Sequence, residues 1–245
     1  MRGSDLSADA SASYALITGA GGAGLTWTRM TGLLGARLFP LPDEETVAAM
    51  AGVLAPEIAA LPEPRILAGA SLGAMVALEI ARRVPVDALV LIAAGWGIAV
   101  SESLLDWVAA SPPDLLRKMA KATIADRDDA EALEAVTLDF EARGQPVMLR
   151  HLTALAAYKP EPLAAYPPTL VIWGERDHSV PLADHAELAL RCGGALAPVA
   201  GAAHKPYFEQ PEETVRWIRW AARWAAAAAA ARAATAPRPA GKPLP

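Results

Sequence analysis

Arg65-Ile66-Leu67-Ala68-Gly69-Ala70-Ser71-Leu72-Gly73-Ala74-Met75-Val76 passes without a break from an apolar, strand-like run to a helix-like run that continues to Arg83. The turn between them reads Gly69-Ala70-Ser71-Leu72-Gly73. A serine at such a junction is expected in a strained backbone conformation, with its Oγ held clear of the sheet. A Cβ two residues to either side would crowd the turn, which accounts for Gly69 and Gly73.

Working outward from this turn, strand and helix patterns alternate. A strand spans Tyr14 to Thr18, a glycine loop Gly19 to Gly24 follows, a helix begins near Trp27, and a second strand covers Ala36 to Leu41. Asp43 suits the N-cap of a helix running toward Ala60, and Pro62 and Pro64 end it. After the serine turn a strand is expected at Ala88 to Ala93, then at Thr169 to Trp173, then near Ala195 to Ala200, with a helix from about Leu182 between the last two. Short, continuously apolar strands separated by helices imply an α/β fold, a doubly wound and mostly parallel sheet covered on both faces. Its functional groups then gather at the carboxyl ends of the strands.

From Ser101 to Tyr158 strand patterns give way to helical ones, carried by Leu104, Leu105 and Val108, then Leu133, Val136 and Phe140, then Leu149, Leu152 and Leu155. The expected organisation is a core of residues 13–97 and 160–232, a helical cap at 98–159, and disordered ends at 1–12 and 233–245. Trp217, Trp220 and Trp224 recur at helical spacing, as expected of a helix face packed on the core.

Composition narrows the function classes. With 245 residues, 53% of them hydrophobic, the chain supports one sizeable core. A net charge of −5 without a basic run argues against a nucleic-acid partner. The absence of an apolar leader or an 18-residue lipid-facing run leads to the expectation of a cytoplasmic protein without a membrane partner. The single cysteine, Cys192, reads as a structural thiol.

A serine hydroxyl needs a histidine to take its proton and a carboxylate to orient that histidine. Of four histidines, His204 follows the last strand at the edge where Ser71 falls. His151 belongs to the helical block, and His178 and His185 read as residues that can lie on the surface. No two of them have a metal-ligand spacing on one helix face. Trp173-Gly174-Glu175-Arg176-Asp177 leaves a strand with two acids, of which Asp177 is preferred to Glu175. The chain order serine, acid, histidine fits the turn. Backbone N–H groups of Leu72 and Ala20 are the candidate oxyanion donors, and Trp27, Trp96, Leu149 and Leu152 the candidate substrate-pocket residues.

Over most of residues 13–225 the chain resembles the α/β-hydrolase family, through Gly69-Ala70-Ser71-Leu72-Gly73, Trp173-Gly174-Glu175-Arg176-Asp177, and His204 followed by Glu209-Gln210-Pro211-Glu212. The resemblance implies a Ser71-Asp177-His204 triad and a cap inserted after the strand ending near Ala93. It departs at Thr18-Gly19, where members of this kind often carry His-Gly. The implied activity is hydrolysis of a small, fairly apolar ester, lactone or thioester, with no cofactor or metal called for. A carbon–carbon bond hydrolase or lyase on the same three residues is an alternative.

Two other readings fit less of the sequence. Gly19-Ala20-Gly21-Gly22-Ala23-Gly24 satisfies the G-x-G-x-x-G spacing of nucleotide-binding dehydrogenases. None of Tyr14, Tyr158, Tyr166 or Tyr207, however, has a lysine four positions later. A noncatalytic binding protein on the same fold leaves the three-residue pattern without a purpose.

Overall fold

The inner strands of the sheet are buried on both faces, and their side chains divide by parity between two apolar layers. In this computed structural model, which describes residues 12–235, β1 (Ser13–Ile17), β2 (Arg37–Phe39), β3 (Arg65–Ala70), β4 (Ala88–Ile92), β5 (Thr169–Gly174) and β6 (Ala195–Val199) form one sheet. The order is β2-β1-β3-β4-β5-β6 and all neighbouring pairs are parallel.

Ala15, Ile17, Leu67, Leu89, Leu91 and Val171 point to one side, against α2 (Val47–Ala59), α3 (Leu72–Ala81) and α8 (Leu182–Arg191). Tyr14, Leu16, Ile66, Ala68, Val90, Ile92 and Leu170 point to the other, against α1 (Thr28–Leu34) and α10 (Pro211–Thr235). Each fully buried Val, Leu or Ile contributes about 1.5–3 kcal/mol relative to exposure, so the sheet is the principal source of cohesion.

Between β4 and β5 the chain leaves the sheet for four helices, α4 (Glu102–Ala109), α5 (Leu115–Thr123), α6 (Ala130–Glu141) and α7 (Gly144–Ala157). The Ser101 hydroxyl accepts from the Leu104 N–H at the start of α4, and an Asp129 carboxylate oxygen accepts from the Ala132 N–H at the start of α6, each supplying a donor-rich helix end with an acceptor. The insertion has its own apolar centre of Val108, Leu115, Ile124, Val136, Phe140 and Met148. Its two ends meet, for a Cβ added at Gly97 would stand 3.5 Å from Pro160 Cδ. A one-turn helix, α9 (Pro206–Glu209), links β6 to α10.

Three expectations are corrected. The N-cap of α2 is Thr46, whose hydroxyl accepts from the Ala49 N–H, because Asp43 is drawn away to an ion pair with Arg150. His185 is fully buried rather than at the surface, its Nδ1–H donating to the Pro181 carbonyl. The last helix runs to Thr235, past the expected start of the tail. The expected disorder at 1–11 and in the remaining tail falls outside the described residues. Among those residues, no helix is long and apolar enough to cross a membrane.

Candidate active site

Ser71 sits between β3 and α3 with φ 53° and ψ −119°, a left-handed backbone that a non-glycine residue adopts only under constraint. The constraint is visible in its surroundings. The Ser71 N–H donates to the Ile92 carbonyl across the sheet, and the Ala74 N–H donates to the Ser71 carbonyl. A Cβ at Gly69 would collide with the Gly73 carbonyl, and one at Gly73 with the carbonyls of Thr18 and Ile17. The turn is therefore packed on itself and on the end of β1.

The acid and the histidine come from the ends of β5 and β6. These two strands are pressed together at Gly174, where a Cβ would meet the Ala203 carbonyl. Asp177 is 6% exposed, while Glu175 beside it faces solvent. The Asp177 Oδ1 accepts from the N–H groups of Ser179 (2.8 Å) and Val180 (3.1 Å), and its Oδ2 faces His204 Nδ1 at 2.8 Å. Burial pushes the Asp177 carboxyl up, but the hydrogen bond and charge of His204, helped by the two amides, outweigh it and hold the group below the usual carboxylate range. With Nδ1–H committed to Asp177, the other ring nitrogen of His204 is the one able to accept a proton.

The loop bearing His204 is held from two directions. The His204 N–H donates to the Thr123 carbonyl at the end of α5. Glu209 accepts from the Ala203 N–H at 2.8 Å and from the Ala125 N–H at 2.6 Å, which ties the same loop to the insertion.

Ser71 and His204 border one cavity of about 350 Å³, whose walls come from the sheet edge and the insertion. Gly19, Ala20, Val100, Leu104, Trp107, Met119, Phe140, Met148, Leu152, Leu155 and Tyr207 make it largely apolar. Of the four expected pocket residues only Leu152 lines it. Trp27 lies one layer behind, stacked on Tyr207 with ring centroids 3.9 Å apart. Trp96 packs toward the α3 side of the sheet beneath the Arg191 guanidinium. Leu149, three residues from Leu152, faces a separate groove with Glu45, Thr46 and Arg150. The pocket follows the docking of α7, which local periodicity does not encode.

Ala20 lines this cavity from the glycine loop, and Leu72 follows Ser71 at the start of α3. Among the described residues neither amide N–H has a hydrogen-bond partner, whereas several amides of the glycine loop do. Those partners come mostly from the insertion. Asp139, 1% exposed on α6, accepts through Oδ1 from the N–H groups of Gly24 (2.8 Å) and Leu25 (2.7 Å) and through Oδ2 from the Thr26 hydroxyl (3.2 Å). His151, fully buried on α7, accepts from the Gly21 N–H at Nδ1 (3.1 Å) and donates from Nε2 to the Pro42 carbonyl (3.0 Å). Burial holds the His151 imidazole below its usual range, against the opposing pull of the Pro42 carbonyl.

The glycine loop thus spends the amides of Gly21, Gly22, Ala23 and Gly24 on protein acceptors, which removes the anion cradle that a dinucleotide reading requires. Thr18 completes it: its buried hydroxyl donates to the Gly22 carbonyl and accepts from the Leu41 N–H. Sequence reading passes over Asp139 and His151, although a charge between Leu138 and Phe140, and an imidazole on the helical face of Met148, Leu152 and Leu155, are visible signs of buried polar anchors.

The model of the alpha/beta hydrolase family matches residues 13–217. A search of curated protein sequences finds no significant match. Among solved structures, a thermophilic esterase superimposes with a TM-score of 0.76 at 21% identity, covering 86% of this chain and 90% of its own. An enol-lactonase from Burkholderia xenovorans gives 0.72 at 16% identity over 84% and 90%. The type II thioesterase of a borrelidin biosynthetic cluster gives 0.63 at 19% identity over 86% and 93%. At these identities the likeness establishes a shared fold.

Proposed function

The chain belongs to the alpha/beta hydrolase family, and from that premise we propose that it is a serine hydrolase cleaving a small, fairly apolar ester, lactone or thioester through an acyl-enzyme. The observation that carries this reading is the 2.8 Å hydrogen bond between His204 and the buried Asp177, beside an apolar cavity that Ser71 shares.

His204 takes the Ser71 proton as Oγ adds to the substrate carbonyl, and Asp177 keeps the imidazole in the required tautomer and stabilises the imidazolium that forms. The Leu72 and Ala20 N–H groups receive the developing oxyanion, and the start of α3 adds its positive dipole end. Collapse of the tetrahedral adduct expels the alcohol or thiol, which takes the proton from His204. Water, deprotonated by the same histidine, then attacks the acyl-enzyme and releases the acid and free Ser71. The structural neighbours include an esterase, an enol-lactonase and a thioesterase, whose names span ester, lactone and thioester, and this supports the substrate class without narrowing it.

Intact mass after incubation with a fluorophosphonate tests the proposal. A single adduct on the wild-type protein that is absent from Ser71→Ala supports an activated serine; equal labelling of both proteins, or none of either, rejects it.

A further inference from the structure

Lys205 follows His204 directly and is 5% exposed, yet its ammonium meets no carboxylate within ion-pair distance among the described residues. Nζ donates to the Tyr207 hydroxyl at 3.1 Å and lies 4.7 Å from the centre of the Phe140 ring and 5.6 Å from that of Tyr207. An ammonium has three donors, so this arrangement engages one and leaves two. Ring faces attract a cation, but they do not replace an anion for a charge withdrawn from water. Glu209 is close enough to feel the lysine, but its oxygens face the Ala125 and Ala203 amides. Burial pushes the Glu209 carboxyl above its usual range even with Lys205 acting the other way.

Lys205, Phe140 and Tyr207 all line the cavity that holds Ser71 and His204. Lys118 lines it too, with its Nζ donating to the Pro113 carbonyl at 3.0 Å, and no Asp or Glu does. This sign runs against that of the whole chain, which has 27 acidic and 22 basic residues. A cationic lining within low-dielectric walls concentrates anions.

We infer that the acyl substrate carries a carboxylate at the end of its acyl chain, which pairs with the Lys205 ammonium while the reacting carbonyl lies at Ser71. The inference rests on the acyl transfer proposed above and names its substrate class. The aromatic rings hold the ammonium in place before the substrate arrives, so little order is lost on pairing. The apolar wall, with Leu152, Met148 and Phe140, contacts the methylene chain between the two ends.

The test compares kcat/KM for 4-nitrophenyl monoesters of linear diacids from adipate to sebacate with that for 4-nitrophenyl esters of linear monoacids of the same carbon number. At one diacid length the wild-type enzyme is expected to favour the anionic ester by about tenfold or more, the size a charge-assisted hydrogen bond confers. That ratio falls by about the same factor in Lys205→Met and is partly kept in Lys205→Arg. The dependence on length is read on the wild-type protein alone, so the assignment remains open to refutation even if Lys205→Met does not fold. Neutral esters hydrolysed with no anionic advantage, or with an equal advantage at every length, overturn the assignment and leave acyl transfer standing. Hydrolysis of neither series together with no phosphonylation of Ser71 overturns the acyl-transfer reading, and this inference with it.

Discussion

The sheet and the four-helix insertion bury their residues differently. All five residues of β4 are buried, as are five of the six in β3, whereas α4 buries only Val108. In the inner strands nearly every side chain belongs to a shared interior, and Ser71, Asp177 and His204 stand on the turns where the strands stop. In the insertion much of the surface is wet, and what reaches inward includes two polar anchors, Asp139 and His151, which grip the glycine loop. The difference teaches a division of labour: the sheet edge presents Ser71, Asp177 and His204, and the insertion steadies the loops around them, the glycine loop that bears Ala20 and the loop that bears His204.

The strongest way to break this comparison is at the sheet edge. Asp177→Asn should fold normally and lose up to about ten-thousand-fold in turnover, because the amide favours the wrong histidine tautomer. Near-normal turnover of a protein with a native circular dichroism spectrum would remove Asp177 from the mechanism.

The insertion's half is tested by His151→Leu, which leaves the Gly21 N–H without its acceptor. We expect kcat to fall by up to about a hundredfold with KM little changed, in the range of a lost oxyanion donor. Stability should fall by about 1–3 kcal/mol from the stranded polar groups. A loss of stability with kcat unchanged would make His151 a packing residue only.

Smaller effects sharpen the picture through pH. His151 and His185 are both held below the usual imidazole range, chiefly by burial. The unfolded chain takes up protons at these rings from about pH 6.5 downward, while the folded one resists. Their stabilising contribution is therefore complete above that pH and lost as pH falls toward their folded values. Asp177, depressed in the fold, acts in the same sense further down: its contribution is complete above about pH 4 and disappears as pH drops through its folded value. Melting temperature followed from pH 8 to pH 3 should decline in these two windows, and His151→Leu should flatten the upper one. A flat profile between pH 6.5 and pH 5 would contradict the buried neutral imidazoles.

The smallest expected change is Leu149→Ala, which should leave acyl-chain preference within about twofold of wild type, as surface-groove substitutions usually do. Leu152→Ala, one turn along the same helix, enlarges the cavity and should shift preference toward longer chains. Identical profiles for the two variants would mean that α7 docks differently.

What was legible in the sequence follows the same division. Strands buried on both faces write themselves as unbroken apolar runs, so β3, β4 and β5 stand where Ile66, Val90 and Val171 put them. The positions of Ser71, Asp177 and His204 just past β3, β5 and β6 were legible because a strand end is a local event. Asp43 and Thr46 are both cap-forming residues three positions apart, and the choice between them was made by Arg150, more than a hundred residues away. Trp27, Trp96 and Leu149 were misread as pocket residues for a similar reason: which side chains face the cavity depends on how elements dock. Thr18, a departure from the family's usual pattern, turns out to tether Gly22 to Leu41.

The meeting of Gly97 with Pro160 makes the insertion a cassette that starts and finishes at one spot on the scaffold. Exchanging it for a longer or shorter segment changes the closure entropy by only about 0.6 kcal/mol per doubling of length, so the sheet scarcely registers what is spliced there. Any replacement nevertheless inherits obligations to two loops: an acceptor for the Gly21 amide and a carboxylate for those of Gly24 and Leu25 on one side, and an acceptor for the His204 amide and a donor for Glu209 on the other. A designer who meets these is free to redraw the rest of the cavity.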